Sequence, residues 1–85
     1  MGYQIEFTSS AAKAFGKLTD DVRQRVADVI DALADDPRPR GVEKLRGSES
    51  TYRVRVGDYR ILYEIADRAL IVTVIKVGHR RDVYR

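Results

Sequence analysis

Arginine side chains recur along one predicted strand, and they are the residues of this chain best suited to carry chemistry. Arg53 and Arg55 alternate with Tyr52, Val54 and Val56, and such alternation is typical of a strand with one buried and one open face. A guanidinium group is planar, permanently charged and able to bind a phosphate through two hydrogen bonds. The pattern therefore predicts an anion-binding surface on the open face of a sheet.

A third arginine is brought to the same surface by the turn that follows this strand. A leading glycine suits a two-residue type II′ hairpin turn, which is predicted at residues 57–58. The register of that hairpin sets Arg55 directly opposite Arg60, and Arg53 opposite Leu62. Like charges directly opposite each other destabilise a sheet by about 0.2–1 kcal/mol, so we expect this face to hold an anion.

The end of the chain supplies a second group of candidates: His79, Arg80, Arg81 and Tyr84. Imidazole titrates near neutral pH, so His79 is a candidate general base, and equally a plain surface residue. Tyr84 is suited to stacking on a base or contacting a ribose, as in single-stranded RNA recognition, or to packing on the sheet. We predict that Arg60 and Arg80 hold one phosphate from two distant parts of the sequence.

These residues must be positioned by a small set of strands and helices. The predicted elements are a strand at 3–7, a helix from residues 8–10 through 17, a second helix from Thr19 to Asp36, and strands at 51–56, 59–65 and 69–77. Thr19 is the expected N-cap of the second helix. Asp36 ends it, because the residue before a proline is pushed out of the helical region. Residues 37–50 form a long connection that Leu45 is expected to anchor to the core.

The predicted fold class is α+β, in the order β-α-α-β-β-β, with two N-terminal helices packed on one face of an antiparallel sheet. Alternation assigns the buried face to Tyr52, Val54, Val56, Ile61, Tyr63 and Ile65. The opposite, exposed face carries Arg53, Arg55, Arg60, Leu62 and Glu64. The last strand is apolar on both sides, which is typical of a central strand. We predict one domain spanning residues 1–85.

Composition limits the chemistry that these elements can support. The 85 residues contain no cysteine and one histidine, which excludes disulfides, a cysteine nucleophile and a zinc nuclease. The net charge of +3 is unevenly distributed, because residues 1–36 carry −3, residues 37–60 carry +4, residues 61–75 carry −1 and residues 76–85 carry +3. A basic surface on one side of a small domain is typical of nucleic-acid binding. The absence of cysteine fits a reducing cytoplasm, residues 1–7 do not form a secretory signal, and the apolar runs are too short to cross a membrane, so a cytoplasmic protein is expected.

The chain resembles the RelE/ParE superfamily of bacterial and archaeal toxins, and within it the RelE branch. The resemblance rests on Lys44-Leu45-Arg46-Gly47, the run from Tyr52 to Ile65, Val77-Gly78-His79-Arg80 and Asp82-Val83-Tyr84. RelE toxins are small basic endonucleases that enter the ribosomal A site and cut mRNA there, each paired with an antitoxin. The resemblance implies a RelE-like toxin domain that acts on mRNA in the ribosome and forms a hetero-oligomer with a cognate antitoxin.

The resemblance also implies roles for individual residues. Arg53, Arg55 and Arg60 match the basic strand residues of the family, and Arg80 and Tyr84 match its C-terminal arginine and tyrosine. The catalytic candidates are accordingly Arg55, Arg60, His79, Arg80 and Tyr84. The RNA-binding candidates are Lys44, Arg46, Arg53, Arg55 and Arg81. Cleavage of this kind uses the 2′-hydroxyl of the RNA as nucleophile and requires no metal or other cofactor.

The general base is where the chain departs from the family pattern. Some relatives have lysine at the position of Arg55, and a lysine with a lowered pKa accepts a proton, whereas arginine does not. The local candidates are His79, Tyr84 and Glu64. Glu64 is also placed to neutralise the crowded arginines, which is the interpretation we favour for it.

Two other functions are compatible with the sequence. A toxin of the ParE branch has the same fold, poisons DNA gyrase and does not cut RNA. A catalytically silent module would use the arginines only to bind an acidic segment of its antitoxin. The strand arginines together with Arg80 and Tyr84 favour the RelE branch.

Overall fold

The computed structural model describes residues 2–79, in which two helices pack on a five-stranded sheet. The elements are β1 (Gln4–Phe7), α1 (Ser9–Gly16), α2 (Asp20–Asp35), β2 (Glu43–Lys44), β3 (Thr51–Val56), β4 (Tyr59–Ala66) and β5 (Ile71–His79). The α+β class, both helices and the β3–β4 hairpin are confirmed. The two-residue strand β2 lies inside the connection that was predicted for residues 37–50.

The sheet is mixed, with the strand order β1-β5-β4-β3-β2. Strands β2 to β5 pair in antiparallel fashion as expected, whereas β1 runs parallel to β5. The antiparallel expectation is therefore wrong for the first strand alone. Alternation in a sequence assigns the faces of a strand but not its direction, and the long connection from β1 to β5 permits a parallel pair.

The two helices begin differently, although a threonine precedes each of them. The side-chain oxygen of Thr8 accepts a hydrogen bond from the backbone N–H of Ala11 at 3.2 Å. Thr19 occupies the N-cap position of α2 but makes no side-chain capping bond. Asp20 and Asp21 lie in the first turn of α2, where the helix dipole favours negative charge. Within residues 2–79, no helix has the length and apolar character that crossing a membrane requires.

The core lies between the helices and one face of the sheet. From α2, the buried side chains are Val26, Ile30 and Leu33. From the sheet they are Tyr52, Val56, Ile61, Tyr63, Ile65, Val72, Val74 and Val77. Val54 is half-buried and packs against the same core. The apolar stripe of α2 and the predicted buried face of β3 and β4 therefore cover each other.

Polar contacts hold the connection between α2 and β3 against the sheet. The buried hydroxyl of Tyr63 donates to the carbonyl of Pro37 at 2.7 Å, and burial raises the pKa of Tyr63 to about 12. Arg38 donates to the two carboxylate oxygens of Asp67 at 2.8 and 3.1 Å, and to the hydroxyl of Tyr52 at 3.1 Å. The connection is thus tied to both β3 and the turn after β4.

The apolar anchor of this connection is Val42, which packs against the core. Leu45, the predicted anchor, is half-buried like Val42, but it is its backbone N–H that ties it down, by donating to the carbonyl of Thr51 at 2.8 Å. Both residues are apolar and stand in a connection without regular alternation, so the sequence did not distinguish between them.

The last strand begins and ends two residues later than predicted, at Ile71–His79. Ala69 and Leu70 belong to the turn after β4 instead. Leu70 has a φ of 56°, in the left-handed region, and it is 51% exposed. Strand β5 lies between β1 and β4, so its predicted central position is confirmed.

Candidate functional site

The side of the sheet turned away from the helices is called here the arginine face. The strand register places on it Glu43, Arg53, Arg55, Arg60, Leu62, Glu64, Lys76 and Gly78. One row across the strands contains Arg55, Arg60 and Gly78, and the next contains Glu43, Arg53, Leu62 and Lys76. Side chains directly opposite each other in such a row have Cβ atoms about 5 Å apart. The basic residues are therefore gathered at the hairpin end of the face.

The β3–β4 hairpin sets this geometry and has the register predicted from the sequence, with Arg55 directly opposite Arg60. Gly57 has a φ of 59°, whereas Asp58 does not have a positive φ, which is the combination that a type II′ turn requires. The crowded pair of arginines is thus built into the strand pairing.

Arg60 is buried, contrary to the expectation that this face exposes all of its arginines. Only 4% of its surface is exposed. Its guanidinium donates to the carbonyl of Tyr59 at 3.1 Å and to that of Gly57 at 3.4 Å, so the side chain folds back toward the hairpin turn. A buried charge is tolerated where hydrogen bonds satisfy it. Arg60 is therefore a cation held in place by the fold.

The other two strand arginines have different surroundings. Arg53 is half-buried and forms an ion pair with Glu43 of the neighbouring strand β2. Arg55 is exposed and makes no ion pair within residues 2–79. The bond from Arg53 holds the pKa of the Glu43 carboxyl below its usual range, and the charges of Arg55 and Arg60 act in the same direction. The carboxylate of Glu43 therefore interacts with all three strand arginines.

The neutralising role that was expected of Glu64 is filled instead by Glu43, which the sequence analysis missed. Glu64 lies four residues along β4 from Arg60, which is about 13 Å at the rise of a strand. Its direct neighbours in the ladder are Thr51 and Thr73. Glu43 escaped notice because a strand of two residues has no alternation by which to recognise it.

A shift in the pairing of β5 adds a fourth basic residue that the sequence analysis also missed. The register with β4 slips by one residue at Ile75, so the alternation of β5 reverses there. Val72 and Val74 are buried before the shift, and Val77 is buried after it. Lys76 consequently lies on the arginine face and is exposed.

The same shift places His79 on the helix side of the sheet. His79 pairs with Tyr59, and the two rings meet edge to face with their centroids 5.6 Å apart. Tyr59 in turn pairs with Val56, a core residue. The sheet therefore separates His79 from Arg60, and its role as a general base stays a prediction.

The remaining candidates lie at the sheet edge or beyond the described residues. Lys44 pairs with Tyr52, which places it on the side opposite Arg53, and both Lys44 and Arg46 are exposed. Arg80, Arg81 and Tyr84 fall outside residues 2–79, so their roles stay predictions.

This arrangement is suited to binding phosphates and stabilising negative charge. The arginine face carries one buried guanidinium held by the hairpin carbonyls, one paired with a carboxylate and one open to solvent. The other side of the molecule carries exposed carboxylates of α2, at Asp21, Asp28, Asp31 and Asp35. An anionic polymer is therefore attracted to one side and repelled from the other.

Comparisons with known proteins agree with this fold. Residues 5–84 match the family model of the ParE toxin of type II toxin-antitoxin systems, parDE. The chain is 33% identical over 86 residues to toxin RelG of Mycobacterium tuberculosis, covering 100% of this chain and 99% of that protein. It is 32% identical over 88 residues to the mRNA interferase toxin RelE of Escherichia coli K12, covering 99% of this chain and 92% of that protein.

The solved structures similar to this one include the intact RelBE toxin-antitoxin complex of Escherichia coli. That match has a TM-score of 0.82 and 30% identity, and it covers 91% of this chain and 95% of the other. The chain therefore matches these toxins in both sequence and fold over nearly its whole length. The chain belongs to the RelE/ParE superfamily of toxins from type II toxin-antitoxin systems.

Proposed function

We propose that this toxin is a ribosome-dependent endoribonuclease that cuts mRNA in the ribosomal A site. The observation that carries the proposal is the gathering of Arg53, Arg55 and Arg60 at the hairpin end of one sheet face. The relatives named as mRNA interferases support it. Action on the ribosome would place the protein in the cytoplasm.

The chemistry requires little beyond what these arginines provide. The RNA 2′-hydroxyl attacks the adjacent phosphorus, and the bond to the 5′ oxygen breaks, which leaves a 2′,3′-cyclic phosphate and a 5′-hydroxyl. Negative charge grows on the phosphate oxygens during this step, so fixed guanidinium donors lower the barrier. Arg60, already held by the hairpin carbonyls, is suited to this role, and no metal or other cofactor is needed.

The other residues either bind the RNA backbone or complete the catalytic site. Arg55 is open to solvent and reaches the scissile phosphate or its neighbour, and Arg53 binds flanking backbone. Arg80 and Tyr84 are proposed to add a second guanidinium and a ring that contacts the RNA. Proton transfer is assigned first to Tyr84, with positioning by the ribosome contributing the rest, because His79 lies on the other side of the sheet.

We further propose that a cognate antitoxin masks this site. The solved structures similar to this chain include toxin-antitoxin complexes, which supports a hetero-oligomer. An acidic segment with a few apolar anchors fits the basic, shallow surface. Charge steering would make its association fast and sensitive to salt.

Inhibition of DNA gyrase is the competing function, because the family model that matches is described by the ParE toxin. Induction of the toxin without its partner, followed by primer extension on mRNA, separates the two. We expect codon-phased cuts that depend on translation. Intact mRNA together with trapped gyrase–DNA breaks would assign the toxin to the ParE activity, and neither signal would favour a silent antitoxin-binding module.

A further inference from the structure

We propose that Glu43 is a positioning residue that occupies Arg53 as an internal anion, and that a phosphate must displace it before Arg53 can bind nucleic acid. The inference rests on the proposed function, because the displacing group is taken to be a phosphate of single-stranded nucleic acid. Glu43 thereby sets how strongly the arginine face holds polyanions.

The fold places Glu43 for this purpose through the short strand β2. Strand β2 pairs with the edge of β3, so that Glu43 stands directly opposite Arg53, and the two side chains form an ion pair. The side chain of Arg53 is 21% exposed, whereas that of Glu43 is 56% exposed. The guanidinium is therefore anchored in the sheet, and the carboxylate is the partner that an incoming anion can reach and replace.

The ionised carboxylate of Glu43 competes with incoming anions for the positive charges of Arg53, Arg55 and Arg60. The positive charges around Glu43 favour its ionised form, with the bond from Arg53 acting most strongly and Arg55 and Arg60 adding to it. The Glu43 carboxylate binds the Nη2 atom of Arg53, so a phosphate that takes both nitrogens of the guanidinium fork must displace it from that atom. An anion must then supply enough other contacts to replace Glu43.

Arg55 can be compared with Arg53, because the two differ in whether a carboxylate is bound. It lies two residues along the same strand and on the same face, but it is exposed and makes no ion pair within the described part of the chain. An approaching strand would meet Arg55 first and Arg53 only after Glu43 has moved. A polyanion with no other contact would thus engage Arg55 but not Arg53. A substrate that is also held elsewhere, for example by the ribosome, would engage both.

The test measures binding of a single-stranded DNA octamer, which lacks the 2′-hydroxyl and so reports phosphate binding without cleavage. Glu43→Gln keeps a hydrogen-bonding group but removes the competing charge. We expect about two- to fivefold tighter binding at low salt. The slope of log K against log salt should steepen by about 0.7, the value for one additional phosphate contact on a single strand.

Glu64→Gln is the matched control, because it removes the same charge from the same face while leaving the Arg53 ion pair in place. We expect its salt slope to equal that of the parent. In an Arg53→Ala background, Glu43→Gln should no longer steepen the slope, since the cation it releases is absent.

The outcomes separate this inference from the proposed function. If the parent binds the octamer and the Glu43 and Glu64 variants have the same slope, the inference is wrong and the function is untouched. Weaker binding by Glu43→Gln would likewise overturn it, because Glu43 would then assist phosphate binding. If neither parent nor variant binds at low salt, both the inference and the phosphate-binding part of the proposed function fail.

Discussion

Arg60 shows what a sequence can and cannot say about a single side chain. Alternation and the hairpin turn placed it correctly opposite Arg55. They could not show that its guanidinium folds back to the carbonyls of Gly57 and Tyr59, because the path of a long side chain is not encoded in the pattern of its strand. The result is an arginine that is part of both the structure and the proposed chemistry.

This dual role predicts different outcomes for two alanine variants that remove the same charge. Arg60→Ala should lower the free energy of unfolding by about 1–2 kcal/mol, because it leaves hairpin carbonyls without their donor. Arg55→Ala should be neutral or raise it by about 0.2–1 kcal/mol, because it relieves the opposed like charges. Urea unfolding of both variants measures the difference.

Cleavage of ribosome-bound mRNA by the same two variants completes the comparison. We expect a loss of roughly 100- to 1000-fold for Arg60→Ala at temperatures where it is folded, the usual effect of removing one fixed donor to a developing charge. Equal stabilities of the two variants, or cleavage by Arg60→Ala at the parent rate, would contradict the role given to Arg60.

The strands differ in how accurately their bounds and faces could be predicted from the sequence. Strand β3 and its turn were predicted to the residue, because strict alternation and a glycine with a positive φ are local signals. Strand β5 was not, since the slip at Ile75 reverses its alternation and is set by pairing with β4. That slip moved Lys76 onto the arginine face and His79 off it.

The hairpin turn can be tested with two glycines in different surroundings. Gly57→Ala should destabilise the protein by about 1–2 kcal/mol, because its φ of 59° is strained for a residue with a Cβ. The new Cβ would lie 3.7 Å from the guanidinium of Arg25, an ordinary contact, so the effect is one of backbone strain.

Gly16→Ala is the control, since Gly16 ends α1 and a Cβ there would meet nothing within 4 Å. It should be neutral or raise the free energy of unfolding by up to about 1 kcal/mol, because alanine favours helix over glycine. Thermal unfolding of both variants decides the matter. A Gly57→Ala protein as stable as the Gly16→Ala protein would show that the turn does not require its glycine.

For the molecule as a whole, the layers could be predicted from the sequence, but not all of the contacts between distant parts of the chain. Helix periodicity and strand alternation were sufficient to predict two helices on one sheet face with the arginines on the other. The parallel pairing of β1 with β5 and the ties from Arg38 to Asp67 and Tyr52 were not predicted. These contacts join residues that are far apart in the chain, so no local sequence pattern predicts them.

The Arg38–Asp67 tie predicts a pH-dependent stability. Arg38, and after it Tyr3, hold the pKa of Asp67 below its usual range. A carboxyl whose pKa is lower in the folded protein stabilises the fold above its unfolded pKa of about 3.9, and this effect is lost as the pH falls through the folded value. Asp67→Asn should therefore be less stable than the parent at pH 7, with the difference closing below about pH 4.

Urea unfolding at several pH values tests this, with Asp31→Asn as the control. Asp31 is exposed on α2 and makes no ion pair within residues 2–79. We expect that control to match the parent at pH 7. A gap between parent and Asp67→Asn that persists unchanged in acid would mean that the charge of Asp67 does not contribute to the fold.

The most direct test of the proposed function is the chemistry of the cut on purified ribosomes that hold an mRNA with a defined A-site codon. The parent protein should leave a 2′,3′-cyclic or 3′-phosphate upstream and a 5′-hydroxyl downstream. The same mRNA carrying a 2′-deoxynucleotide at the scissile position should stay intact. Cutting of the deoxy-substituted mRNA, a 5′-phosphate on the downstream product, or no cutting at all by the parent would contradict 2′-hydroxyl chemistry on the arginine face.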